Sequence, residues 1–180
     1  MSNHWLHQLP RSASVSCNQT LQEGETVEYG SIEREFHVEA SPEVVYEVIS
    51  RPEHIRQWWS DDADFESAAG ATGELIWGDA ANPRANVVPM TVVEATPPTR
   101  FSFRWAFPAG ESAGPGNSML VIFDLSPSGS GTVVRMKETG FREMGWEAAT
   151  LELQYNEHSH GWDTFLPRLG DYVLQLAASR

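Results

Sequence analysis

Between Asp61 and Gly140 the chain breaks into short alternating segments separated by short turns, and it then closes on one apolar stripe at helical spacing. The strictest alternation is Phe101-Ser102-Phe103-Arg104-Trp105. Successive residues of a strand point to opposite faces, so such a segment buries one side only. Ala63 with Phe65, Leu75 with Trp77, Val87 to Ala95, Met119 to Leu125 and Thr132 to Thr139 read as further strands. Pro89 marks an edge or bulge near the start of its strand. The links Gly78 to Pro83, Thr96 to Thr99 and Ser126 to Gly131 are rich in turn residues, and Pro108 to Ser118 forms a longer Gly- and Pro-containing loop. Connections of this length favour antiparallel neighbours in a meander.

Flanking segments complete the pattern. Ile32, Arg34, Phe36 and Val38 alternate with Glu33, Glu35, His37 and Glu39, which reads as a first strand. Ser41-Pro42-Glu43 supplies a helix N-cap, a proline at the first helical position and a carboxylate near the positive helix end. A second short helix begins at Pro52 and runs out at Trp58-Trp59. Near the C-terminus, Trp162, Phe165, Leu166, Leu169, Val173 and Leu176 form one helical stripe. Gly161, Pro167 and Gly170 weaken it, an interior proline costing about 3 kcal/mol, and they predict a kink or a soft end. The fold expected is α+β: a curved antiparallel sheet of six or seven strands wrapped around a long C-terminal helix, with two short helices after the first strand.

A chain of 180 residues accommodates one such domain. Residues 1–29 show no sustained period and read as an extension, disordered or loosely docked, on which Trp5, Leu6 and Leu9 are the candidates for packing. Residues 30–180 form the domain. The net charge of −13 argues against nucleic acid and anionic membrane as partners. Cys17 is the single cysteine, so no intrachain disulfide forms. The first residues lack the basic end and apolar run of a signal peptide, and no window approaches the roughly 20 apolar residues of a membrane span. A soluble, cytoplasmic protein is expected.

This order of elements resembles the SRPBCC superfamily, also called START-like, helix-grip or Bet v 1-like. Within it the chain is similar to the heat-shock-protein-90 ATPase activator homologue family. The resemblance rests on Ile32-Glu33-Arg34-Glu35-Phe36 before Ala40-Ser41-Pro42-Glu43-Val44-Val45, and on Pro52 to Trp59 with its paired tryptophans. It rests further on Glu94-Ala95-Thr96-Pro97-Pro98 followed by Phe101 to Trp105, on Thr132 to Phe141, and on Gly161-Trp162 as the start of the long helix. It spans about residues 30–176. Two departures stand out. Residues 142–160 are longer and more polar than a tight strand-to-helix link needs, and Glu138 stands where the family often has His.

In the superfamily the space between sheet and helix binds small hydrophobic molecules, and some branches cyclise or dehydrate polyketides there. The resemblance makes Trp58, Trp59, Phe65, Trp77, Phe103, Trp105, Met136, Glu138, Trp162 and Phe165 the candidate ligand-binding residues; the competing reading of each aromatic is plain core packing. Glu138 follows Val134 and Met136 on one strand face, so it points inward if they do. There it would bond a ligand or act as an acid or base. Otherwise it sits solvated at the strand end or pairs with Arg142. His158 and His160 do not share a helix face, no third ligand lies at a telling distance, and no metal site is expected. Asp61, Asp62 and Asp64 read as a solvated strand entrance, His54 as an exposed helix residue. No nucleophile motif, phosphate loop or dinucleotide glycine pattern appears, and no cofactor is expected.

Three functions follow, in order of preference. The first is non-catalytic binding of a small hydrophobic molecule. The second is a polyketide cyclase or dehydratase using Glu138. The third is an interaction module regulating a chaperone ATPase. Homodimers are common for such domains, and an exposed strand edge offers a pairing surface.

Overall fold

The computed structural model describes residues 29–180, so the extension with Trp5, Leu6, Leu9 and Cys17 lies outside the described residues. The chain runs through β1 (Ser31–Val38), α1 (Pro42–Ser50), α2 (Pro52–Trp58), β2 (Asp62–Asp64), β3 (Thr72–Trp77), β4 (Asn86–Thr96), β5 (Arg100–Trp105), β6 (Met119–Ser128), β7 (Gly131–Thr139) and α3 (Ala148–Ala178). One antiparallel sheet of seven strands has the order β1-β7-β6-β5-β4-β3-β2. The meander is the one the short turns imply. β1 joins it at the β7 edge, after which α1 and α2 carry the chain to the opposite edge at β2.

Alternation decides which face is buried. Met119, Val121, Phe123 and Leu125 of β6 and Val134 and Met136 of β7 are buried against α3 and the short helices. The other face carries cross-strand ion pairs, Glu33–Lys137 at 2.8 Å and Glu35–Arg135 at 2.6 Å, between residues that are also register partners. Exposed pairs contribute at most about 1 kcal/mol each. A slip of one residue would carry these charges into the core, so the polar face pins the register.

Pro89, near the start of β4, pairs with β3 opposite Glu74 and has no β5 partner, so the strand is locally an edge there, as expected. Pairing of β4 with β5 begins only at Met90, so the missing N–H of Pro89 breaks no ladder there, and the register shift falls between Val92 and Glu94. Several local expectations are corrected. Phe65 lies one residue beyond β2. Ser41 is the N-cap of α1 by its backbone, but its side chain makes no capping bond. His54 is half-buried, because its Nδ1 meets the Tyr172 hydroxyl of α3 at 2.8 Å.

The largest correction concerns α3. It begins at Ala148, thirteen residues before Gly161, and continues through Pro167 and Gly170 as one 31-residue helix. The link that looked too long is therefore residues 140–147. Leu151, Tyr155 and His158 extend the inward stripe by three and four residues at a time, but two of them carry polar atoms and so hide the period. The link starts at Gly140 with φ +114°, where an added Cβ would stand 2.8 Å from the Ser118 carbonyl oxygen.

Two glycines should therefore respond in opposite directions. Gly140→Ala is expected to lose about 2 kcal/mol through strain and the clash. Gly170→Ala is expected to gain about 0.5–1 kcal/mol, since its Cβ would meet only a Phe36 ring atom at 4.0 Å. Urea unfolding measures both. Burial lowers the His54 pKa. Its contribution to stability is thus present above the unfolded value of about 6.5 and is lost as pH falls through the folded value. His54→Gln should flatten that part of the stability profile in thermal melts at pH 7 and pH 5.

Candidate functional site

The inward faces of β3, β5 and β7, the end of α2 and one face of α3 converge on a cluster of aromatic rings. β5 sends in Phe103 and Trp105, and β3 sends in Trp77. α2 ends in Trp58 with Trp59 directly after it. On α3, His158 and Trp162 lie one turn apart and face the sheet together. Trp59 occupies the centre, its ring centroid 5.1 Å from Trp105, 5.2 Å from Trp162, 5.6 Å from Phe103 and 5.7 Å from Trp58. Trp58 stacks on it at 15°, and the other three contacts are tilted or edge-on.

Within this cluster stands one carboxylate. Val134, Met136 and Glu138 all face inward, and Glu138 is completely buried. The indole Nε1 of Trp105 donates to its Oε1 at 2.8 Å, and the indole Nε1 of Trp162 donates to its Oε2 at 2.7 Å. His158 Nδ1 lies 3.0 and 3.1 Å from the two oxygens. An indole N–H can only donate, so both oxygens accept; with its ring proton on Nδ1, His158 is a third donor to the pair. The His158 ring lies against Trp105 and Phe141, with centroids at 5.4 and 5.3 Å. Arg142, the alternative partner for Glu138, is exposed on the surface.

The arrangement joins β5, β7 and α3 through one anion acceptor. A buried carboxylate is costly unless donors surround it, and in a low-dielectric interior each of these bonds is strengthened. Chemically, Glu138 is a positioned acceptor whose two oxygens are already engaged. That geometry orients two tryptophan rings and one imidazole.

The structure gathers most of the sequence candidates: Trp58, Trp59, Trp77, Phe103, Trp105, Met136, Glu138 and Trp162 share one core. Phe65 is buried at its side, stacked on Phe101 at 6.4 Å. Phe165 is only half-buried, with the Arg168 guanidinium 5.2 Å above its ring. His158 and His160, not expected to form a metal site, separate on the helix: His158 points inward and His160 to solvent. The four-residue spacing of His158 to Trp162 is the signal that locates it. Among the described residues no three His, Cys, Asp or Glu side chains gather in a metal-holding group, and no helix is long and apolar enough to cross a membrane.

An antiparallel sheet gripping a long C-terminal helix over an inward aromatic face defines a helix-grip domain of the SRPBCC, or START-like, class. The chain belongs to the family described as Activator of Hsp90 ATPase homolog 1-like protein, whose family model matches residues 39–173. A search of curated protein sequences returns no match. Among solved structures, protein MLL2253 from Mesorhizobium loti is similar at TM-score 0.64 and 20% identity, over 81% of this chain and 97% of that one. The Aha1 dimer from Colwellia psychrerythraea is similar at TM-score 0.60 and 19% identity, over 79% and 95%. DynU16, a putative protein in the dynemicin biosynthetic locus, is similar at TM-score 0.61 and 21% identity, over 84% of this chain and 49% of that one. At these identities the likeness is one of fold.

If Glu138 is the anchor of this interior, Glu138→Gln should destabilise the protein by about 3 kcal/mol, because an amide N–H₂ then faces an N–H donor in a buried site. Trp162→Phe removes one donor and should cost about 2 kcal/mol. Urea unfolding followed by tryptophan emission measures both; a Glu138→Gln midpoint equal to wild type would show that the carboxylate anchors nothing.

Proposed function

We propose that this protein is a cytoplasmic binding module that holds a small hydrophobic molecule between the sheet and α3 and releases it chemically unchanged. The observation that supports this reading is the engagement of Glu138 by Trp105, Trp162 and His158. The carboxylate serves the protein and not a substrate. It orients the Trp105 and Trp162 rings as flat walls through their N–H groups. Trp59, Trp77, Phe103 and Met136 supply the remaining apolar surface, Phe65 and Phe165 its margins. Large rings with an N–H suit a ligand that is apolar with few polar atoms.

The cyclase or dehydratase alternative requires Glu138 to exchange a proton with a substrate. It would have to give up two indole bonds and the imidazole first. Family membership and the Colwellia dimer are also compatible with self-association or a chaperone partner. Size-exclusion chromatography with light scattering reads the first of these directly.

Native mass spectrometry of the purified protein, followed by denaturing extraction, tests the reading. A co-purified apolar molecule is expected, recovered with its mass unchanged after incubation. Where the protein emerges empty, 1-anilinonaphthalene-8-sulfonate is expected to bind saturably and to take energy from the tryptophans. No bound molecule together with no saturable probe signal would overturn the reading. Conversion of a polyketide that is abolished by Glu138→Gln would replace it with the cyclase reading.

A further inference from the structure

β1 is an edge strand, and its inward positions read Ile32, Arg34, Phe36, Val38. Arg34 is a cation where the alternation calls for an apolar residue. Its guanidinium reaches across to α3: Nε donates to Asp163 Oδ1 at 2.8 Å, Nη2 to Asp163 Oδ2 at 3.3 Å, and the same Nη2 to Ser159 Oγ at 2.8 Å. Ser159 and Asp163 flank Trp162 on the helix. Beside this clasp lies an apolar groove of about 270 Å³, bordered by Phe36, Trp162, Leu166 and Gly170. Trp162 is therefore shared. It lines the groove, while its Nε1 holds Glu138 inside.

The wall of the groove is also the weakest stretch of α3. Pro167 has no N–H for the carbonyl of Asp163, and Gly170 places no side chain over Phe36. A turn of helix with a missing bond beside a groove is where a ring can move at least cost.

We propose that the groove between β1 and α3 is the passage by which a small apolar molecule reaches the aromatic interior, with Trp162 as its door and the Arg34–Asp163 ion pair as its latch. This rests on the binding function proposed above. Opening breaks the Trp162–Glu138 bond, so the anion that fixes the aromatic wall also holds the door closed. Trp162 belongs to both, lining the groove and packing on Trp59 at 5.2 Å inside, and this commits the passage to the same occupant.

Stopped-flow association of 1-anilinonaphthalene-8-sulfonate with the full chain tests it, read by energy transfer from tryptophan. Arg34→Gln and Asp163→Asn should each raise the association rate about five-fold and leave the equilibrium affinity within about two-fold, because each opens the same latch. Electrostatic steering alone would move the two variants in opposite directions, since the probe is an anion and the substitutions change net charge with opposite sign. Gly170→Leu, which fills the groove from the helix side, should slow association about ten-fold. Saturable binding with rates unchanged in all three variants, or with opposed shifts in the first two, overturns the passage while the binding function stands. No saturable binding in the wild type overturns both.

Discussion

A carboxylate taken out of water must be met by donors, and Glu138 draws its donors from β5 and from α3. This is the constraint on which the rest of the interior depends. Two indole N–H groups and one imidazole fix the height of α3 over the sheet and its rotation about its own axis, because Trp162 and His158 must both reach the same two oxygens. The apolar core around them is non-directional and tolerates sliding. A buried polar network does not, since a small displacement leaves an acceptor or a donor unpaired.

The periphery follows from that placement. With α3 held over β5 and β7, its free flank meets β1 on one side and α2 on the other. Arg34 closes the first gap through Asp163 and Ser159, and the His54–Tyr172 bond closes the second. Trp58 ties the two short helices together by donating from its Nε1 to the Val48 carbonyl at 3.2 Å. The aromatic rings pack against one another there, with Trp59 in contact with partners from α2, β5 and α3. An interior built this way combines packed rings with a few polar fastenings.

Which parts of this were legible beforehand depends on how far each signal reaches along the chain. The seven strands show themselves by alternation, a property of neighbours two residues apart, and Ser41-Pro42-Glu43 marks its helix start within three residues. The inward face of β7 was readable up to Glu138, but whether the strand end lay in solvent was not, because burial there is set by α3. The first half of α3 was missed for a related reason. Tyr155 and His158 look polar in sequence, and they turn to the core only where the Ser31 carbonyl accepts from the tyrosine hydroxyl and Glu138 meets the imidazole.

The sequence by itself determined the order of the strands and helices, the face of the sheet that is buried and the acidic surface, since these follow from period, turn chemistry and composition. Only the tertiary structure decided that Glu138 is an anchor shared by two tryptophans and a histidine, that His158 belongs to it and not to His160, and that Arg34 clasps α3. Those partners lie from 20 to 129 residues apart. No local pattern encodes a contact over such a separation; it exists only after the sheet and the helix have buried each other's apolar faces.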